Sequence, residues 1–452
     1  MSSPEPHDGV VICVDFGSTF TKASLVDLDS GLIAAAAEHR TTIDTDVLDG
    51  YDACLATLAE QDVRAAGAAT LACSSAGGGL RIAVVGNEEL VTAEAGRRVA
   101  LSSGGKVVAV LAASRGDDLR AVTESEPDVV LLTGGTDGGN PEPILACARD
   151  LADVWQGPVV VAGNVDAQAG VAEILAHHPL VVAPNIVPRI GVLAPEGART
   201  AIRELFLSHV IGGKHLSARD DFLAMVQGAT PDVVLTGVEL LADMAGDTVV
   251  VDVGGATTDV HSVVELDPED AGLSREVVAT TRVTRTVEGD LGMRWSAVTT
   301  AEAAGRDDLY EAAVRRRAEV GFVPTDAVEG DLDEQIAREA VGLALRRHAG
   351  RSKVVVSPEG RVVERTGKDL REVDLLVGSG GVLRHGRPGV AERVFAGSVG
   401  EVEGGWQLPR RASVTVDEEY VLAAAGLLAG RYGGAARRLV AGLVGHPGAD
   451  TA

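Results

Sequence analysis

No run in this sequence approaches the roughly 20 apolar, charge-free residues that a membrane-spanning helix needs. The opening residues, Met1 to Gly9, are polar and acidic, unlike the basic and then apolar start of a secretory signal. Aromatic side chains make up only 3% of 452 residues, against 46% apolar in all, so the cores must be closed by Ala, Val and Leu. The four cysteines (Cys13, Cys54, Cys73 and Cys147) are scattered, with neither metal-ligand spacing nor a disulfide framework, which fits a reducing compartment. Basic residues are outnumbered, 40 Lys and Arg to 66 Asp and Glu, for a net charge of −26. Nucleic-acid affinity comes largely from cations on phosphates, so the net charge argues against that partner class. These absences lead us to expect a soluble cytoplasmic protein with no membrane and no nucleic-acid partner. Its length calls for two or three domains.

What the sequence does have is strands that end in glycine. Val10 to Asp15 reads as a buried strand that turns through Gly-Ser-Thr into a second strand, Thr21 to Asp27, with a third around Leu32 to Ala36. That is a hairpin pattern. A helix over 46–61 and a strand Thr70 to Cys73 follow, the strand opening into Ser74-Ser75-Ala76-Gly77-Gly78-Gly79, which reads as a hinge. From 80 to 190 the strands Arg81–Val85, Val107–Leu111, Val129–Leu132, Val159–Val161 and Leu180–Val182 alternate with helical stretches such as 88–101 and 166–176. Such alternation implies a parallel, doubly wound sheet. A helical stretch over 198–209, strands Val249–Val253 and Val260–Leu266, helices over 299–318 and 333–348, strand Leu375–Val377 and helix 417–429 complete the chain. The expected domains are a first lobe (1–79), an inserted α/β domain (80–190), a return to the core (191–246), a second lobe (247–444) and a flexible tail (445–452).

Three of the glycine turns carry chemistry. The first is Asp15-Phe16-Gly17-Ser18-Thr19-Phe20-Thr21-Lys22. Gly17, Ser18 and Thr19 let backbone N–H groups curl around phosphate oxygens. Asp15, at the strand end, is placed to hold Mg²⁺ through water, and Lys22, on the returning strand, to reach terminal phosphates as a point charge. An ordinary hairpin with Asp15 as a turn former fits the same residues. The second turn, Asp252-Val253-Gly254-Gly255-Ala256-Thr257-Thr258-Asp259, repeats the grammar. Gly254, Gly255, Thr257 and Thr258 are its phosphate candidates, and Asp252 is a second water-mediated Mg²⁺ ligand. One such turn says little; one in each half is what two phosphate-gripping lobes require. The third, Leu375-Leu376-Val377-Gly378-Ser379-Gly380-Gly381, lets a flat base and ribose approach the backbone, or is a plain strand-to-helix turn.

The order of these turns resembles the actin/Hsp70/sugar kinase superfamily of ATPases. The resemblance implies an α/β protein with two actin/Hsp70-like, ribonuclease H-like lobes and an inserted doubly wound α/β domain, binding ATP and Mg²⁺. No GxxxxGK[ST] loop occurs. Across nearly the whole chain, Val14 to Lys22, Cys73 to Leu80, Thr133-Gly134-Gly135-Thr136-Asp137-Gly138-Gly139-Asn140, Asp252 to His261 and Arg285 to Gly292 together resemble the glutamate mutase L family. Members are encoded with adenosylcobalamin-dependent mutases. The resemblance implies an accessory ATPase that reactivates or protects such a mutase, with the mutase subunits as partners. A small-molecule kinase or a filament-forming ATPase on the same fold are the alternatives, although no carboxylate base beside an acceptor pocket is evident.

Other residues have a functional and a structural reading each. Glu239, on a short helix before the second phosphate strand, lies where superfamily members often place a water-orienting residue; a solvated helix carboxylate is the plainer reading. Gly289, flanked by Glu288 and Asp290, belongs to a loop that faces the nucleotide or caps the next helix. Asp137 and Asn140 sit in a loop at the insert's sheet edge, where open α/β sheets bind ligands, or in a loop forced simply by chain reversal. Asp259 and His261 read as structural, and His177-His178 as a helix end. The Asp-x-His-x-x-Gly string by which mutase domains ligate cobalt is missing: Asp259-Val260-His261 is followed by Ser262-Val263-Val264.

Overall fold

The computed structural model describes residues 9–266, 281–357 and 360–444. The polar residues before Gly9 and the tail from Gly445 lie outside it. The described chain forms two compact units, one of residues 9–237 and 423–439, the other of 238–266, 281–422 and 440–444. The chain leaves the first unit inside helix Thr230–Ala245 and returns to it inside helix Val421–Leu428.

The first unit holds a sheet of β1 (Val10–Phe16), β2 (Phe20–Asp27), β3 (Leu32–Arg40), β4 (Ala69–Ser74) and β10 (Val226–Ala229), ordered β10-β4-β1-β2-β3. β2 pairs antiparallel with β1 and β3, whereas β4 pairs parallel with β1 and β10. The second unit builds its sheet from β11 (Thr248–Val253), β12 (Thr258–Val263), β13 (Val283–Glu288), β16 (Leu375–Ser379) and β17 (Ser413–Val416), ordered β13-β12-β11-β16-β17. Its pairings repeat the first sheet's: antiparallel β11-β12-β13, parallel β11-β16-β17. Each unit is therefore one copy of the same five-stranded sheet, the longest connection running between the third and fourth strands in the second unit and between the fourth and fifth in the first.

In the first unit that connection contains a second sheet, entirely parallel, of β5 (Arg81–Gly86), β6 (Lys106–Ala112), β7 (Val129–Leu132), β8 (Val159–Val161) and β9 (Leu180–Val182), ordered β6-β5-β7-β8-β9. Its central strands β7 and β8 are apolar and buried throughout, and β5 is so after Arg81, because both faces are covered, as parallel sheets require. Ile82, Val84, Val129 and Leu131 share a core with helices Glu94–Ser102 and Glu196–Leu205. The alternate residues Ala83, Val85, Val130 and Leu132 pack under helices Glu142–Val154 and Gln168–Ile174. All five strands expected from the sequence are present. In the second unit a two-stranded ribbon, β14 (Arg351–Ser357) and β15 (Gly360–Thr366), precedes β16.

Several sequence expectations need correction. The helix over 299–318 is two, Ala297–Ala304 and Tyr310–Ala318, because Gly305 adopts a left-handed φ of 64° and stops the first. The helix expected from 333 begins at Ala327, where the Asp326 side chain accepts the Glu329 N–H at 2.9 Å as its N-cap. β12 stops at Val263, short of Leu266. Helix Thr230–Ala245, which carries Glu239, has 16 residues rather than being a short helix.

The second unit buries two imidazoles. His348, at the end of helix Ala327–His348, is bonded to Ser262 on β12 at 2.7 Å and Thr286 on β13 at 2.9 Å. Burial, with help from the Lys368 charge, holds its pKa down at about 3, and burial holds His261 well below the usual range too. An unfolded chain takes up these protons near pH 6.5 while the folded one refuses them, so stability falls as pH drops below about 6.5. From pH 7 to 5 the loss should be about 2 kcal/mol per histidine. Urea midpoints at the two pH values measure it. His348→Gln should flatten the acid slope by about half, and an unchanged slope would remove His348 as a cause.

Candidate functional site

Both glycine hairpins have one construction. In the first, the Gly17 N–H donates to the Phe20 carbonyl at 3.1 Å; in the second, the Gly254 N–H donates to the Thr257 carbonyl at 2.9 Å. A Cβ on Gly17 would lie 2.6 Å from the Phe20 oxygen, and one on Gly254 2.9 Å from the Thr257 oxygen, so neither turn closes this tightly around a side chain.

The turn carbonyls are tied back in both cases. Gly17 O accepts the Thr41 hydroxyl at 2.8 Å and Thr19 O the Thr41 N–H at 2.9 Å. Gly254 O and Gly255 O accept the N–H groups of Met293 and Arg294 at 3.0 and 2.8 Å. In a trans peptide the carbonyl and the following N–H point opposite ways, and cis peptides are absent among the described residues. The N–H groups of Ser18, Gly255 and Ala256 are therefore turned away from the segments that hold the carbonyls. That is the arrangement that presents donors to an anion.

The carboxylates stand at matching places. Asp15 is the penultimate residue of β1 and lies opposite Lys22 across the hairpin; Asp252, penultimate in β11, lies opposite Asp259. Asp15 is 8% exposed and Lys22 half-buried. Burial lifts the Asp15 carboxyl above its ordinary range, opposed by the Lys22 charge and by hydrogen bonds from Thr230 at 2.6 Å and Cys73 at 3.6 Å. Asp252 and Asp259 are half-buried like charges on facing positions, an arrangement that destabilises a hairpin unless it is compensated. Arg285 supplies the compensation at 2.9 Å from Asp259.

The third turn joins the second hairpin. β16 runs parallel to β11 with Gly378 beside Val251 and Ser379 beside Asp252. Gly380 has φ 107°, and a Cβ there would lie 2.2 Å from the Val253 carbonyl, so the adenosine-type turn and the phosphate-type turn touch through bare backbone. Gly381 opens onto unobstructed space. Gly289 is drawn in by Ser296, whose hydroxyl donates to Ala256 O at 2.6 Å and Gly289 O at 3.0 Å.

The second unit thus gathers Asp252, Gly254, Gly255, Thr257, Thr258, Gly289, Gly378, Ser379, Gly380 and Gly381 about one end of its sheet, and the first unit gathers Asp15, Gly17, Ser18, Thr19 and Lys22. Glu239 is half-buried on helix Thr230–Ala245. Glu288 and Asp290 do not cap the next helix: Arg347 takes both, at 2.7 and 2.6 Å. Sequence reasoning missed Thr41, Thr230, Arg294 and Ser296. Only Thr230 had a signal, since Thr230-Pro231-Asp232 is a helix start.

Hard carboxylate oxygens of this kind suit Mg²⁺. Among the described residues no group of three or more His, Cys, Asp or Glu side chains is placed to hold a metal. A cation here would take most of its ligands from phosphate and water, as Mg²⁺ commonly does. Nor, among those residues, is any helix long and apolar enough to cross a membrane. All four cysteines are free and buried.

A profile of the MutL protein family matches residues 11–443. The chain belongs to this family. It is 36% identical over 442 residues to Protein MutL of Clostridium tetanomorphum, covering 92% of this chain and 95% of that protein. The family is the one its motifs resemble, the glutamate mutase L family. Among solved structures it is similar to the activator of the 2-hydroxyisocaproyl-CoA dehydratase from Clostridium difficile (12% identical, 94% of this chain and 95% of that one, TM-score 0.33). It is also similar to the ethanolamine utilization protein EutJ from Carboxydothermus hydrogenoformans (10%, 97% and 92%, TM-score 0.31).

Proposed function

We propose that this MutL-family chain binds and hydrolyses Mg-ATP and uses it, as an accessory protein, to reactivate an adenosylcobalamin-dependent mutase. The observation that supports ATP chemistry is the twice-built hairpin: the same sheet, the same glycine turn with its donors turned outward, and an aspartate at the same register. Family resemblance supplies the client class, and the missing cobalt-ligating string speaks against a mutase role for the chain itself.

In this reading Ser18, Thr19, Gly254, Gly255, Thr257 and Thr258 hold phosphates. Gly378 to Gly381 take the adenosine, Lys22 neutralises terminal-phosphate charge, and Asp15 and Asp252 orient Mg²⁺-bound water. Mg²⁺ lowers the charge cost at the transferring phosphate. Reactivation needs one nucleotide state to favour a loosened form of the mutase. Inverting a 1:99 ratio takes about 5.5 kcal/mol of differential binding.

The test inactivates a candidate mutase with hydroxocobalamin, then adds this protein, Mg-ATP and fresh adenosylcobalamin. Activity should return with wild type and not with Asp252→Ala. Equal recovery with wild type, with the variant and with no added protein would sink the accessory role.

A further inference from the structure

Asp15 is the one buried carboxylate of the first hairpin, and its surroundings are asymmetric. Both of its side-chain hydrogen bonds fall on Oδ1. The Cys73 thiol, directly opposite on parallel strand β4, is 3.6 Å away, a long and weak contact. The Thr230 hydroxyl is 2.6 Å away, a short bond to an ionisable acceptor. Thr230 reaches this point because β10 pairs with β4 up to Ala229↔Ser74 and the chain then enters helix Thr230–Ala245. A threonine at a helix start commonly accepts an N–H from its own first turn. Here the hydroxyl proton goes across two strands to the Asp15 carboxylate. Threonine is stiff about χ1, and Pro231 fixes the next backbone angle, so the donor is held rigidly.

We propose that Thr230 is the positioning residue of the nucleotide site: it locks the Asp15 carboxylate by Oδ1 and so presents Oδ2 to the hydrated Mg²⁺. This deepens the ATPase reading and rests on it. Oδ2 accepts neither of these two side-chain bonds. Thr230 touches neither metal nor nucleotide in this scheme and acts only through Asp15. It also opens the helix whose later residues belong to the second unit, so the orientation of Asp15 is registered at the head of that helix.

The test is Thr230→Val, which keeps the shape and removes the donor, with Thr230→Ser as the conservative rescue and Thr230→Ala as a second donor-less variant should the valine protein misfold. Two quantities are read: the Mg²⁺ concentration for half-maximal ATP turnover, and ATP affinity by calorimetry with and without Mg²⁺. A hydrogen bond to a charged group corresponds to a factor of about ten to a hundred. Half-saturating Mg²⁺ should therefore rise about tenfold or more in the valine and alanine variants, with Mg-free ATP affinity within about twofold of wild type. Serine should restore Mg²⁺ dependence. Wild-type Mg²⁺ dependence in Thr230→Val, or a serine variant as impaired as the valine one, overturns the positioning role and leaves the ATPase reading standing. A wild type without Mg²⁺-dependent ATP binding overturns both.

Discussion

Asp15→Ala should cost about a hundredfold or more in Mg-dependent ATP turnover while the protein melts no lower than wild type. The two halves of this expectation have one cause. Asp15 is 8% exposed, and burial holds its carboxyl above the usual range. A carboxyl whose folded pKa exceeds its unfolded value loses stability as pH rises through the unfolded value, so at pH 7 its charge is a burden on the fold. Such a burden is kept where charge is needed, and preorganised groups around a reacting phosphate commonly supply factors of about 10² to 10³. Removing the carboxylate relieves the fold, leaves the Thr230 hydroxyl and Lys22 in place, and deletes the ligand that orients metal-bound water. Turnover assays beside thermal melts decide the matter. Turnover equal to wild type would misplace the site. Turnover and melting point lost together would make Asp15 a structural residue.

The hairpins were legible because their information is local. A tight turn needs glycine at Gly17 and Gly254, and an aspartate one residue before the strand end is visible in any reading. Apolar strands of the parallel sheet were equally plain, since burial on both faces leaves no polar interruption in Val129 to Leu132 or Val159 to Val161. The fifth strands were not. β10 is Val-Gln-Gly-Ala and β17 Ser-Val-Thr-Val, four residues each, and pairing with β4 and β16 rather than their own composition makes them strands. β13 was missed because Thr284, Arg285 and Thr286 interrupt its apolar pattern, their environment being set by Asp259 and His348.

That the two halves share one strand order could not be seen as a repeat. The segment between fourth and fifth strands holds an entire parallel sheet in one half and only two short helices, Gly381–Arg384 and Val390–Val394, in the other. Similarly, Asp259 read as structural from its place on a returning strand. The register puts it level with Asp252, at the position Lys22 takes in the first hairpin. The supports of the turns, Thr41 in one case and Met293 to Ser296 in the other, come from segments about 25 to 40 residues away in sequence. No local pattern announces such contacts.

Asp333→Ala should destabilise the second unit by about 3 kcal/mol and loosen its hairpin as well. Arg316 is completely buried, its Nε donating to Asp333 Oδ1 at 2.7 Å and its guanidinium lying 4.8 Å from the Phe322 ring centroid. The other oxygen, Asp333 Oδ2, accepts Arg294 at 3.0 Å, and the Arg294 main-chain N–H is the group that holds Gly255 O. One buried carboxylate, 4% exposed, therefore balances two cations and fixes the segment behind the phosphate turn. Breaking a buried pair from one side leaves an uncompensated charge and costs about 3–5 kcal/mol. The lower figure applies because Glu329 stays within 2.6 Å of Arg316. For a unit of this size that is a fall of about 6–12 °C in melting temperature. Mg-ATP affinity should drop with it, since Arg294 loses the anchor that keeps Gly255 in place. The neighbouring pair Arg315–Glu329, with Arg315 56% exposed, is the contrast: Arg315→Ala should change stability by less than about 1 kcal/mol. Calorimetric melts of both variants, each with and without Mg-ATP, measure the two effects. Equal melting points for Asp333→Ala and Arg315→Ala would show that the buried carboxylate does not carry the load assigned to it.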